Sequence, residues 1–404
     1  MASWRFFFSW EHSMEQDETV LSPGLAFELT ESQKAVQQLV REFAEKELRP
    51  VVMKYDESQE FPYGIVEKLS ALGFMGISWP EELEGAGLTD LESIVVIEEL
   101  AKVDPSVALT VASHNGLCTA HIMRFANEEQ KKRFVPDLAS GRKLGAWALT
   151  EPGSGSDAGG MRTLAQREGS DWVLNGSKTF ITQGSVGSTY VVMAKTDRQK
   201  GKSSISTFVV EKGMRGFTVG KKENKLGMRS SDTATLIFEN VRVPAENLLG
   251  NVGEGFKQAL TILDGGRIGI AALSVGIAQG ALDASLKYAK ERVQFDNPLA
   301  EYQAIQWKFA DMATETSAAR MLTQKAAWMK SRGMDVTLAA AQAKYFASEA
   351  AVRATNEAVQ IHGGYGFIKE FPVEKLYRDV KLMTIGEGTS EVQKMVIARH
   401  LLQQ

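Results

Sequence analysis

The hydrophobic period of this chain changes twice, and no other feature limits its possible folds as strongly. From Leu29 to about Gly145 apolar residues recur at helical spacing. Thr30 or Ser32 opens a run that puts Val36, Leu39, Val40, Phe43 and Leu48 on one face and stops before Pro50. Ile65–Leu72 and Leu91–Leu100 predict two further amphipathic helices. Pro105–Phe125, apolar and small, predicts one helix buried all round, and Asn127–Leu138 a polar one. From Trp147 to about Asn247 the period falls to two, with strands predicted at Trp172–Gly176, Lys178–Thr182, Tyr190–Ala194, Ser206–Val210 and Thr233–Phe238 and a hairpin turn at Gly169-Ser170-Asp171. After Gly255 helix returns in longer, alanine-rich runs: Phe256–Leu263, Ile268–Val293, Gln303–Gly333 and Val336–Ile361. The fold class expected is therefore α+β. It comprises an N-terminal helical domain over residues 26–145, a middle antiparallel β-domain (sandwich or barrel) over 146–254, and a C-terminal four-helix-bundle domain over 255–404. Residues 1–25 read as a disordered extension.

Charge and cysteine content exclude several functions. Forty-six basic residues stand against fifty acidic, a net charge of −4, which offers no electrostatic case for nucleic acid or an anionic membrane. Cys118 is the single cysteine, so there is no intrachain disulfide and no thiolate metal cluster. The five histidines show no metal-ligand spacing, and no metal is expected. No stretch is expected to approach the roughly 18–20 apolar residues that span a bilayer. The aromatic start, Met1–Trp10, is too short for a secretory apolar core. A bacterial cytoplasm, or an organelle matrix in a eukaryote, is the compartment expected.

Four stretches carry candidate chemistry. Thr150–Gly160 is glycine-rich, but its spacing is G-x-G-x-x-x-G and a strand pattern follows. A dinucleotide-binding loop must open a helix, so the stretch reads as a structural turn or as a rigid loop offering N–H groups, Thr150 and Ser156 to a polar ligand. His362–Phe367 has more glycines than a helix C-cap needs. Leu263–Arg267 places two glycines inside a helical pattern at about 1 kcal/mol each, predicting a kink or a ligand contact. Asp264 and Arg267 lie three apart there, which a surface ion pair would also explain. Thr384–Gln393 sets Glu387 between Gly386 and Gly388, ahead of a helix that Thr389 or Ser390 can cap. A glycine-hinged carboxylate can point into a pocket. Taken alone, the window fits a solvated loop acid better.

Together Trp147–Asp157, Lys178–Thr182, Leu263–Arg267, Arg292–Phe295, Gln360–Gly366 and Arg378–Arg399, in this order within an α–β–α chain, resemble the acyl-CoA dehydrogenases, closest to the short-chain (butyryl-CoA) branch. The likeness runs from about Leu29 to the end. It implies an FAD enzyme, usually a homotetramer, that desaturates acyl-CoA thioesters and passes electrons to an electron-transfer flavoprotein. Glu387 would take the α-proton while hydride leaves Cβ for flavin N5. The other position used for the base in the family is Gly266 here. Trp147, Leu149, Thr150, Gly155, Ser156, Phe180, Ile181 and Thr182 would contact FAD. Arg292, Phe295, Gln303, Gln360, Gly363 and Gly364 would reach FAD of a neighbouring subunit, and Thr389 and Glu391 would close the site. Ser156, Asp264, Arg267, Gly386, Glu387 and Arg399 would line the substrate path.

Three departures qualify the likeness. Phe180 stands where tryptophan is common, Asp296-Asn297 replaces a usual glycine after Arg-x-x-Phe, and Gly386 replaces a tyrosine before the base. The last predicts room for a branch or ring near the reacting carbons. An oxygen-using oxidase or monooxygenase on the same fold is the alternative, and a non-catalytic scaffold the remaining one.

Overall fold

Caps set where the first helices begin. The computed structural model describes residues 28–403, so the extension expected over residues 1–25 lies outside the described residues. Thr30 and Asn127 each accept from the backbone N–H three residues on, while that residue's side chain accepts from the cap N–H, opening α1 (Glu31–Phe43) and α7 (Glu128–Ala139). Thr89 does the same work for α4 (Asp90–Ala101), with Glu92 closing the box. Between them lie α2 (Val52–Ser58), α3 (Tyr63–Ala71), α5 (Pro105–Ser113) and α6 (Ala120–Phe125). The single helix expected over Pro105–Phe125 is interrupted by a π-helical stretch, His114–Thr119. Asn115 drives it: its Nδ2 donates to Val111 and Phe74 carbonyls and its Oδ1 accepts from Ile77 N–H. The wider turn is the kind often found beside functional sites.

The middle of the chain forms an eight-stranded sheet. Its strands are β1 (Gly145–Ala148), β2 (Leu164–Glu168), β3 (Asp171–Thr182), β4 (Thr189–Lys195), β5 (Ile205–Glu211), β6 (Phe217–Lys222), β7 (Thr233–Val243) and β8 (Leu248–Leu249), in the order β6-β7-β3-β2-β4-β5-β8, with β1 beside β4. Pairing is antiparallel except for β1 with β4 and the single β2–β4 bridge, which are parallel. The two strands expected at 172–176 and 178–182 are one, β3, bent by irregularities against β7 near Gly176 and between Lys178 and Ile181. Tyr190, Val192 and Ala194 of β4 point into the sheet's own core, and Val191 and Met193 pack against Ile122, Phe134 and Leu138 of the helices. Burial on both faces explains why β4 reads as an unbroken apolar run.

The spine of the molecule is α8 (Gly255–Glu291), packed by α4, α5, α9 (Gln303–Ser331) and α10 (Thr337–His362). The two helical runs expected here are one helix, because Gly265-Gly266 does not break it. Close packing supplies what local propensity withholds. An 18-residue window of α8 reaches a mean hydropathy of 1.5, long and apolar enough to cross a membrane, contrary to the expectation from sequence. Two thirds of that window (67%) is buried by the surrounding helices, as suits a core helix. Helix α11 (Pro372–Val380) and α12 (Ser390–Leu402) complete the chain, and the first helices share one apolar core with the bundle.

A buried charge cluster joins the three parts. Lys375 of α11 donates to Asp104, the N-cap of α5, at 3.0 Å and to Asp379 at 2.6 Å. Asp379 in turn accepts from Met228 N–H in the loop before β7, and Arg378 clamps Asp56 of α2 at 2.7 Å. Removing one member of such a set leaves the others charged and unpaired. Lys375→Met is therefore expected to cost about 3–5 kcal/mol in denaturant unfolding. Lys369→Met, which removes an exposed surface pair with Glu57, should lie within error of the parent.

Candidate active site

Glu387 meets α8 where that helix has no side chain. Beyond α11 a 3₁₀ turn, Lys381–Thr384, ends with Ile385 and Gly386 N–H both donating to Leu382 O. Glu387 then takes a left-handed conformation (φ 54°), followed by Gly388 at φ 93°. For a non-glycine residue this costs about 1–3 kcal/mol, a strain concentrated at functional sites. Thr389 caps α12 by accepting from Val392 N–H, while Ser390, the first helical residue, bonds Glu349 instead. Gln393 Nε2 donates to the carbonyls of Glu387 and Gly388, and Lys344 Nζ of α10 donates to Gly388 O at 2.7 Å. Glu387 N–H donates to no backbone carbonyl among the described residues.

The carboxylate itself is the anomaly. Glu387 as a residue is half-buried, but its Oε2 is sealed from solvent without a hydrogen-bond partner. A Cβ at position 266 would run into that oxygen and into Leu117, so any larger residue there would displace the Glu387 carboxylate. Burial pushes the Glu387 carboxyl up to about 7, against the opposing pull of the Lys344 and Arg267 charges. Arg267 is buried too. It meets Asp264 at 2.6 Å, its Nε has no partner, and Thr337 Oγ1 donates to the other Asp264 oxygen. Burial draws both groups toward their neutral forms. The pair thus sits inside the fold beside Glu387, not on a surface. Arg399, expected on the same path, is exposed near the far end of α12.

A second group gathers on the β-domain. Trp147 of β1 donates its indole N–H to His121 Nδ1 at 3.0 Å, and His121 Nε2 meets Gln258 Oε1. Burial drops His121 to about 4, so the ring is neutral and its Nε2 carries the proton. Lys178, fully buried on β3, donates to Leu149 O and to Glu151, which also accepts from Arg162 and Thr163 N–H. This pair pins both ends of the 149–163 loop, with Gly155 and Ser156 exposed and Thr150 half-buried between them. Phe180 is 66% exposed at φ 56°, whereas the Ile181 side chain turns into the sheet core. Thr182, Thr389 and Glu391 are each at least partly exposed.

The remaining predicted residues lie elsewhere. Arg292, Gly363 and Gly364 line an open cavity at the other end of α8 and α10, with Arg292 over the Tyr365 ring. Phe295, 90% exposed, and Asp296 form the tip of a two-residue hairpin with φ values of 49° and 64°. The turn forms without the usual glycine, with both residues in the left-handed region that such a hairpin requires. Gln303 and Gln360 are exposed nearby in sequence. From Gly266 to Arg292 the helix rises by about 39 Å at 1.5 Å per residue. One chain cannot bring both groups to one ligand.

Models of the acyl-CoA dehydrogenase N-terminal, middle and C-terminal domains match residues 30–142, 146–241 and 253–402. The short-chain-specific acyl-CoA dehydrogenase of Clostridium acetobutylicum is 47% identical over 92% of this chain and 98% of its own length. The chain belongs to the acyl-CoA dehydrogenase family. Butyryl-CoA dehydrogenase from Megasphaera elsdenii superposes with a TM-score of 0.92 at 45% identity, covering 94% of this chain and all of the other. A chain in the structure described as the electron transferring flavoprotein of Acidaminococcus fermentans gives 0.93 at 46% identity, with coverage of 94% and 100%.

This acyl-CoA dehydrogenase is accordingly an FAD-dependent oxidoreductase, and its β-domain fits the cofactor. An aromatic ring held in water on a left-handed backbone is costly in two ways, and a planar ring stacked on Phe180 would offset both. Sequence reading missed four residues that the fold brings to these two groups. Lys344 stands alone in an alanine run of α10, a pattern that could have drawn attention; His121 and the Lys178–Glu151 pair left no such signal, since tertiary contacts alone join them. Lys178→Met should loosen the 149–163 loop. The expected result is a lower flavin-to-protein absorbance ratio after gel filtration, with the unfolding midpoint shifted less than by Lys375→Met.

Proposed function

We propose that this dehydrogenase desaturates short or branched acyl-CoA thioesters between Cα and Cβ, with Glu387 as the base. The observation that carries this reading is the Glu387 oxygen, sealed from water and unpartnered against Gly266. A thioester α-proton is weakly acidic, so its removal needs a placed base with its pKa near the working pH. Burial supplies that in Glu387, whose proton affinity lies near neutrality. The uncommitted Glu387 N–H can donate to the thioester oxygen as negative charge builds there, worth about 2.7–4 kcal/mol for a donor of this kind. Asp264, Arg267 and Ser156 offer polar contacts along the path of the CoA arm. FAD, when bound, accepts the hydrogen and electron pair leaving Cβ.

Two partner readings follow. Because Arg292 lies about 39 Å along α8 from Gly266, and Gly363 and Gly364 share its cavity, this group, with Phe295, Gln303 and Gln360, serves the flavin of a second copy, as a homotetramer would allow. Electrons pass to an electron-transfer flavoprotein, a reading supported by the Acidaminococcus fermentans relative.

Substrate shape is read at Gly386. A Cβ there would make ordinary van der Waals contact with Leu382, its nearest atom at 3.5 Å, so a larger side chain such as tyrosine could be carried at this position. Isobutyryl-CoA or isovaleryl-CoA should be turned over alongside butyryl-CoA, and Gly386→Tyr should lose the branched substrates selectively. Equal branched-chain rates in both proteins would rule this out.

The base is tested anaerobically. Butyryl-CoA should bleach the flavin band of the parent, and Glu387→Gln should stay yellow, with rates lower by about 10²–10⁴-fold. Peroxide formed on rapid reoxidation in air would indicate the oxidase instead. Since only ionised Glu387 accepts a proton, kcat/KM should rise as pH passes through about 7 and level off above it.

A further inference from the structure

Lys344 has no exposed surface, yet no carboxylate lies within ion-pair distance of it among the described residues. Its neighbours on α10, Ala339, Ala340, Ala341, Ala343 and Ala347, are small and buried, so nothing in the packing of the helix calls for an ammonium there. Its single hydrogen bond goes to the Gly388 carbonyl, one residue past Glu387. An ammonium in that position is costly unless it does something a methionine could not.

We propose that Lys344 is a positioning residue for the base: its grip on the Gly388 carbonyl holds the Glu387–Gly388 segment in the left-handed turn that lays the Glu387 carboxylate against Gly266. The inference rests on the reading of Glu387 as the base. The left-handed conformation of Glu387 is costly, and bonds to the turn's carbonyls offset it. Gln393 Nε2 reaches both carbonyls from α12, so Gly388 O is held from two helices at once. The neutral amide supplies geometry alone. The ammonium adds charge on the side of the carboxylate, and it favours the ionised base.

The other charges in reach are Arg267 from α8, Glu349 on α10 itself and Glu391 from α12. Glu349 is engaged by Ser390 Oγ at 2.6 Å, and Lys394 lies over the Tyr345 ring. Burial lowers Lys344 to about 8 while Glu387 pulls it back up. The ammonium is thus mostly charged at neutral pH, when the base must be ionised.

The test uses the FAD-loaded enzyme with butyryl-CoA as substrate, and compares Lys344→Met and Lys344→Gln with Glu387→Gln and the parent. For Lys344→Met, kcat should fall tenfold or more with KM changed less than threefold, and the inflection of kcat/KM should move to higher pH. Lys344→Gln, which keeps a donor without the charge, should recover part of kcat at high pH and keep the shifted inflection. A purely structural lysine would lower the melting temperature and leave the inflection in place, which would overturn the proposal. So would parent-like kcat and pH profile in both variants. If Lys344→Met does not fold, the same two readouts on Lys344→Gln decide. Turnover retained in Glu387→Gln would refute the base itself, an outcome distinct from failure of the Lys344 role alone.

Discussion

The contact between the Glu387 carboxylate and the bare backbone of α8 at Gly266 governs much of this structure. A carboxylate oxygen sealed from water without a hydrogen bond is unstable on its own account, and burial answers by raising the proton affinity of the group. The helix beneath it must tolerate two glycines at about 1 kcal/mol each. The chain carrying it must hold a left-handed glutamate. Neither cost would be met by an isolated segment, and both are met by packing from several directions.

That packing explains why α8 is so long and so apolar. Four helices surround it, and its Gly276 and Gly280 bring it against the backbone of α4 at Glu98 and Lys102, closer than any side chain would permit. Lys375, Asp104 and Asp379 then tie α11 to α5 and to the loop before β7. Glu387, Gly266 and the loop pinned by Lys178 and Glu151 are thereby parts of one body. A reaction that depends on register between a thioester and a flavin requires this.

The sequence was most legible where a local signal coincided with the tertiary outcome. Thr30, Thr89 and Asn127 mark helix starts chemically, and the change of period from 3.6 to 2 and back marks the three parts. It was least legible where a residue's role is assigned by a distant neighbour. Gly265-Gly266 looks like a break, and only the contact with Glu387 shows it to be clearance inside an intact helix. Asn115 widens a helical turn because Phe74 and Ile77 lie beside it. Arg267 and Asp264 at i, i+3 fit a surface pair until burial is known. The apolar window of α8 escapes notice by eye because small residues and glycines dilute it.

The sequence by itself determined the order α, β, α, the family framework and the identity of the carboxylate between two glycines, because these depend on periodicity, caps and motif spacing along the chain. Only the tertiary structure decided that one oxygen of this carboxylate is sealed from water and unpartnered and that its proton affinity lies near neutrality. It also decided that Lys344 stands behind it, and that the Arg292–Gly364 group lies too far along α8 to share its site. Desolvation and electrostatic neighbourhood are properties of space, and residues 43 positions apart, such as Lys344 and Glu387, become neighbours only when the bundle closes.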